Sequence, residues 1–371
     1  MNKNNHTPFS KLVFKMPMKK ILITFDDYFA IMSYLKKEFK ELNIEVNMFS
    51  TNISEHWINR FFFKKINKIV RFFGIIDRDT DLFKWSRFSY EQFRDRQFAD
   101  RIRQFQPDLI FCIHGDQIGE AILRDSNIPK VGWWVEPEPD INTLIRLARL
   151  FDHYLSYSSE IVKLLSDMNI RSEYQSHVAS SSDFYPIPKM AKDIDLLFYG
   201  SWSPWREEVL FSAYKATNNI ALYGNHWFKN SIFFSKKDLK LIHRGKDIVG
   251  PNLNEIINRS KIVLGAQRQK KATTGLDTRA FDALASGALL LTDAPKDLFR
   301  HFKDLEDCII YDSSEEVQDL IRAVIEEHVE VDKIKKSGRE NVLTNSTYKT
   351  LCAKIATYIP PSTLLQNTNY P

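Results

Sequence analysis

Short apolar runs, each stopped by glycine or by a cluster of polar residues, recur along this chain and constrain its fold more than any other feature. Residues 21–25 end in Asp26 and Asp27. Residues 107–113 end in His114, Gly115 and Asp116, and 131–135 end in Glu136, Pro137, Glu138, Pro139 and Asp140. The pattern restarts at Ile194: residues 194–199 close on Gly200, Ser201 and Trp202, 220–223 on Gly224 and Asn225, and 261–264 on Gly265, Ala266, Gln267 and Arg268. Runs that are apolar throughout are strands buried on both faces, which is the situation of a parallel sheet, and helical spacing fills the stretches between them. An α/β chain follows. Because 371 residues exceed what one core covers, two Rossmann-like domains are expected, with boundaries at 18–178 and 179–345. Residues 346–371 are a closing helix and tail, the helix packing back on the first domain.

Composition narrows the function by exclusion. Lys and Arg number 52 against 47 Asp and Glu, a formal charge of +5, too small and too dispersed for a dedicated nucleic-acid binder. Cys112, Cys308 and Cys352 stand far apart without CxxC spacing, so no disulfide framework or cysteine metal site is expected and a reducing cytoplasm fits. Residues 1–20 are polar and basic, unlike a signal peptide, and no run approaches the length of a membrane span.

Residues 56–73 (HWINRFFFKKINKIVRFF) interleave aromatics with lysine and arginine and contain no acid. As a helix the segment gathers Ile58, Phe62, Ile66, Ile69 and Phe73 on one face. Two readings stand: a surface helix resting on an anionic membrane or meeting a lipid-linked acceptor, or a core helix with a solvated basic back. Residues 90–106 form a second basic helix, part-neutralised by Asp95 and Asp100 and read as a solvated face.

The stretch 273–293 reads as a loop, a helix started by Thr274 or Asp277, a stop at Gly287 and a strand ending on Asp293. A loop that opens onto a helix N-terminus offers free N–H groups, and Arg279 in the first turn adds a fork suited to phosphate. Placed last in a row of glycine-ended strand edges, it completes a nucleotide crevice. The candidate donor-binding residues are Gly200, Ser201, Arg206, Tyr223, Gly224, Asn225, Arg268, Thr274, Gly275, Leu276, Asp277, Thr278, Arg279 and Asp282. The chain has neither GxGxxG after its first strand nor GxxxxGK[ST], so dinucleotide oxidoreductases and P-loop enzymes lose support. His114, Asp116 and Glu136 share one predicted sheet edge in the other half and are the candidate catalytic groups. Alternatively, Asp116 caps the next helix.

From about residue 195 to 348 the order of elements resembles the nucleotide-sugar domain of GT-B glycosyltransferases of the group 1 kind, and most the CgeB-like branch. The resemblance rests on FYGSWSPWRE, PNLNEIINRSKIVLG, GLDTRAFDALASGALLLTD and a closing YDSSEE helix; the first half contributes only its β/α rhythm, PDLIFCIHGD and VGWWVEPEP. It implies two facing domains, a nucleotide-sugar donor held by the second, a saccharide, lipid-linked or protein acceptor met by the first, and no cofactor or essential metal. Many retaining members carry two glutamates eight positions apart; here those positions are Thr274 and Asp282, and Asp277 stands where asparagine is common. The expected activity is glycosyl transfer in the cytoplasm, peripheral to the inner membrane face. A GT-B-shaped binding subunit that has lost catalysis and a nucleotide-sugar epimerase are the alternatives.

Overall fold

The computed structural model describes residues 18–25, 31–136, 140–270 and 274–361. Asp26, Asp27 and the start of the helix expected from 28, together with Pro137, Glu138, Pro139 and Thr273, lie outside them. The first domain runs β1 (Lys20–Thr24), α1 (Ile31–Glu41), β2 (Glu45–Phe49), α2 (Lys64–Phe72), α3 (Tyr90–Phe105), β3 (Leu109–Ile113), α4 (Glu120–Asp125), β4 (Lys130–Trp134), α5 (Ile141–Ala148), β5 (His153–Ser156), α6 (Ser159–Asp167) and β6 (Ser172–Tyr174). The second runs β7 (Ile194–Tyr199), α7 (Pro204–Ala216), β8 (Ile220–Tyr223), α8 (Trp227–Asn230), α9 (Lys236–Ile242), β9 (His243–Gly245), α10 (Gly250–Arg259), β10 (Ser260–Leu264), α11 (Thr278–Ala285), β11 (Leu289–Asp293), β12 (Ile309–Tyr311), α12 (Ser314–Ile325) and α13 (Val331–Asn345). Then α14 (Tyr348–Ala356) closes the described chain.

Both sheets are six-stranded, β2-β1-β3-β4-β5-β6 and β12-β11-β10-β7-β8-β9, and every recorded pairing is parallel. β3 and β4 are buried at every position, as their unbroken apolar runs require. Helices cover both faces of each sheet, leaving two apolar layers per domain. Val178 packs into the core of the first domain and its neighbour Ala179 into that of the second. The last helix returns to the first domain: Tyr348, Leu351, Cys352 and Ile355 of α14 join its core, and Tyr348 packs its ring on Tyr34 of α1.

The structure decides local alternatives that the sequence leaves open. Asp277, not Thr274, caps α11, its carboxylate accepting the Arg279 N–H. Asp116 caps nothing: α4 starts after Gly119, whose N–H goes to Asp95. The short β6 and β9 at the sheet edges carry too few apolar residues to announce themselves.

Candidate functional site

In each sheet the strand order reverses once, and open α/β sheets hold their ligands at the carboxyl ends of strands at that reversal. In the second domain it falls between β7 and β10. Gly200 follows β7, and a Cβ there would lie 2.8 Å from Arg279 Nη2 and 3.2 Å from Arg206 Nη1. A side chain there would push the guanidiniums from these positions. Arg206, in the first turn of α7, donates from Nε to the Ala266 carbonyl (3.0 Å) and from Nη1 to that of Ser201 (3.1 Å). Arg279, 4% exposed, donates to the same Ala266 carbonyl (3.3 Å) and lies over the Phe198 ring at 4.7 Å. The two cations share one carboxylate, Asp277, at 3.0 Å from Arg279 and 3.5 Å from Arg206.

A buried and a part-buried guanidinium against one carboxylate leave positive charge uncompensated. Burial, followed by repulsion from Arg279, lowers the Arg206 pKa to about 10. Arg268, exposed at the crevice mouth, adds to that repulsion. Asp293 does little to relieve it, since it accepts from Trp205 Nε1 and the Gln267 N–H and burial raises its pKa. Arg279 Nε is buried without a partner among the described residues. The arrangement suits a bidentate anion.

The other donor candidates divide by what they touch. Thr278 opens α11 beside this pair. Asp282 lies one turn further on, and burial, with Asp277 and Asp183 nearby, raises its pKa well above the carboxylate norm towards the neutral acid. Leu276 is core, leaving only its backbone to face a ligand. Gly224 backs Gly200, because a Cβ on it would meet the Gly200 carbonyl at 1.9 Å, and Asn225 is bonded to Asp247 at 3.1 Å. Tyr223 ends β8, whose carbonyl accepts the Gly200 N–H at 2.8 Å. Thr274 and Gly275 face the other domain. Thr274 Oγ1 bonds Ser158 Oγ at 2.7 Å, and the Gly275 N–H goes to Asp297 at 2.8 Å.

In the first domain the reversal falls between β1 and β3, and His114 stands at the end of β3. Its ring meets Trp134 at 4.8 Å and Phe25 at 5.7 Å. Burial lowers its pKa while the charges of Asp116 and Glu136, past the ends of β3 and β4, oppose that shift. His114 Nε2, Trp134 Nε1 and Thr24 Oγ1 are buried without partners among the described residues, at the ends of three neighbouring strands. Unsatisfied buried polar atoms are costly, and a hydroxyl-bearing ligand would satisfy them.

Several groups escaped the sequence reading. His177, in the crossing between domains, is affected by both Asp277 and His114, and burial lowers its pKa from 6.5 to about 4. Asp297, fully buried in a 3-10 turn over Lys296–Arg300, accepts the N–H groups of Ser159 (3.0 Å) and Gly275 (2.8 Å) and pairs with Arg300. It thus ties the donor loop to the N-terminus of α6 in the other domain. Tyr174 and His301 bond across the same seam at 3.0 Å. No local motif marks Asp297, Tyr174 or His301, because each has a partner more than a hundred positions away. Among the described residues no cluster of His, Cys, Asp and Glu could hold a metal ion.

Two facing Rossmann-like domains with a crossing C-terminal helix constitute the GT-B architecture. Residues 204–357 match the family described as glycosyl transferase-like. No curated protein matches the chain. Among solved structures it is similar to sucrose-phosphate synthase from Thermosynechococcus elongatus (TM-score 0.63, 11% identity, 91% of this chain and 98% of that one). A glycosyltransferase from Rickettsia africae gives 0.63 at 11% identity over 92% and 98%. HepE of Anabaena, in complex with UDP and glucose, gives 0.60 at 10% over 91% and 98%. At such identities the likeness is one of fold.

Proposed function

We propose that the protein is a glycosyltransferase that moves a sugar from a nucleotide-sugar donor to a saccharide, lipid-linked or protein acceptor in glycoconjugate or surface-polysaccharide synthesis. The observation that carries this reading is the pair of guanidiniums, Arg279 buried and Arg206 part-buried, packed against Gly200 where the second sheet reverses. A departing nucleoside diphosphate gains negative charge as the glycosidic bond breaks. Cations already fixed in a poorly solvated site therefore bind the transition state better than the ground state. Asp282, pushed towards its neutral form, can both donate to and accept from ribose hydroxyls. HepE in complex with UDP-glucose supports a nucleotide sugar as the ligand class, and the FYGSWSPWRE and GLDTRAFDALASGALLLTD motifs support the CgeB-like branch.

On the acceptor side His114 is the candidate base. Burial keeps its imidazole neutral and able to take a hydroxyl proton, and Glu136 and Asp116 favour the imidazolium that results. The test is to incubate the purified chain with a panel of nucleotide sugars and to measure nucleoside diphosphate release with and without saccharide acceptors. Turnover of one donor is expected. A folded protein that binds a donor but never turns it over would instead be the non-catalytic binding subunit, and free epimer without acceptor would make it an epimerase.

A further inference from the structure

The segment after β2 is inside out. A π-helical turn over Asn59–Phe63 runs into α2, and from 57 to 73 the buried residues are two asparagines, Asn59 and Asn67. Asn67 bonds Asp81 and the Leu82 N–H, and Asn59 bonds Glu55. The apolar side chains point outward instead: Phe72 is 84% exposed and Phe73 68%, and Trp85 on the returning loop is 82% exposed. Packing therefore overturns the core-helix reading of this segment. A helix that hides its amides and shows its phenylalanines to water carries the kind of exposed apolar patch that marks an interaction surface.

We infer that this face docks on an anionic lipid surface. The argument is charge complementarity. Residues 56–76 hold five basic residues, Arg60, Lys64, Lys65, Lys68 and Arg71, all exposed, and no acid. Of the acids that flank the segment, Glu55 pairs with Lys64, Asp81 turns to Asn67 and the Phe83 N–H, and exposed Asp77 and Asp79 stand in the turn after it on either side of Arg78, so the basic excess belongs to the helix itself. Exposed aromatic and aliphatic side chains ringed by lysine and arginine are the composition that seats a helix at the boundary between headgroups and acyl chains. A second copy fits poorly, because two such faces would oppose like charges.

The position suits the function without depending on it. β2 pairs in parallel with β1, and β1 with β3, so the segment leaves the same sheet edge on which His114 stands. A lipid-borne acceptor held at the bilayer surface would be presented to that edge. The inference itself concerns binding only, and it survives if the transferase reading fails.

The experiment is co-sedimentation of the full chain with vesicles of phosphatidylglycerol and phosphatidylcholine, against vesicles of phosphatidylcholine alone. Binding to the anionic vesicles is expected, weakening as salt screens the surface. The variant Phe72→Ser/Phe73→Ser/Trp85→Ser should lower partitioning by ~10-fold or more. Lys65→Glu/Lys68→Glu should abolish the preference for anionic lipid. All these side chains lie outside, so thermal unfolding should be unchanged. Failure of the wild type to bind anionic vesicles at low salt would overturn the inference, as would a concentration-dependent dimer that the aromatic variant dissolves.

Discussion

The two sheet edges that face each other across this molecule are finished in opposite ways. In the second domain most charged groups at the edge are tied: Arg206 and Arg279 share Ala266 and Asp277, and Asp293 is held by Trp205 and Gln267, with Arg279 Nε left over and Arg268 exposed. In the first domain His114, Trp134 and Thr24 end in buried polar atoms without partners among the described residues. A diphosphate is the same anion in every nucleotide sugar, so its seat can be built in advance. Acceptors differ, and their groups are left to be satisfied by the ligand.

The comparison breaks first at Arg279. Arg279→Ala should cut donor affinity and turnover together by ~100–1,000-fold, read by initial rates at varied donor concentration. His114→Gln should cost ~100-fold in turnover but leave nucleoside diphosphate affinity alone. Equal losses of binding in the two variants would mean that the edges are not divided as described.

Smaller effects probe the seam between the edges. Asp297→Ala strands the buried N–H groups of Ser159 and Gly275 and should cost about 2–4 kcal/mol of stability in denaturant unfolding, with a raised KM for donor. Gly275 holds φ +84° and a Cβ there would lie 2.4 Å from the Tyr157 ring, so Gly275→Ala should cost about 1–3 kcal/mol and loosen the donor loop. Acid should act on the same seam. His301, like His177, is lowered from 6.5 to about 4 by burial, so between those values the unfolded chain binds protons that the folded chain refuses. Stability is then fully present above pH 6.5 and falls as pH drops towards 4. Asp282 and Asp293, whose pKa values are raised, act in the opposite sense. The difference between wild type and His301→Gln isolates the histidine: the variant should show a shallower acid loss in thermal melts run from pH 7 to 4.

Much of the donor half was legible because its signals are local. A buried strand, a glycine and an arginine one helical turn on are all written within 194–206 and 260–282, and the structure joins them at one sheet reversal. Thr274 shows the limit. Its place in the motif is read from its neighbours, but its bond to Ser158 crosses between domains and no spacing rule announces it. Asp297 and His177 were illegible for the same reason. The 56–73 segment shows a different limit: helical periodicity gathers its apolar residues but leaves open whether they point inward or outward, and the buried asparagines decide it.

The most direct test of the central claim is calorimetric titration of nucleoside diphosphates into the full chain and into Arg206→Ala/Arg279→Ala, with folding checked by circular dichroism. The account predicts that at least one diphosphate binds the wild type and that the double variant loses that binding. Undiminished affinity in a folded double variant, or no binding of any nucleoside diphosphate by the wild type, would contradict it.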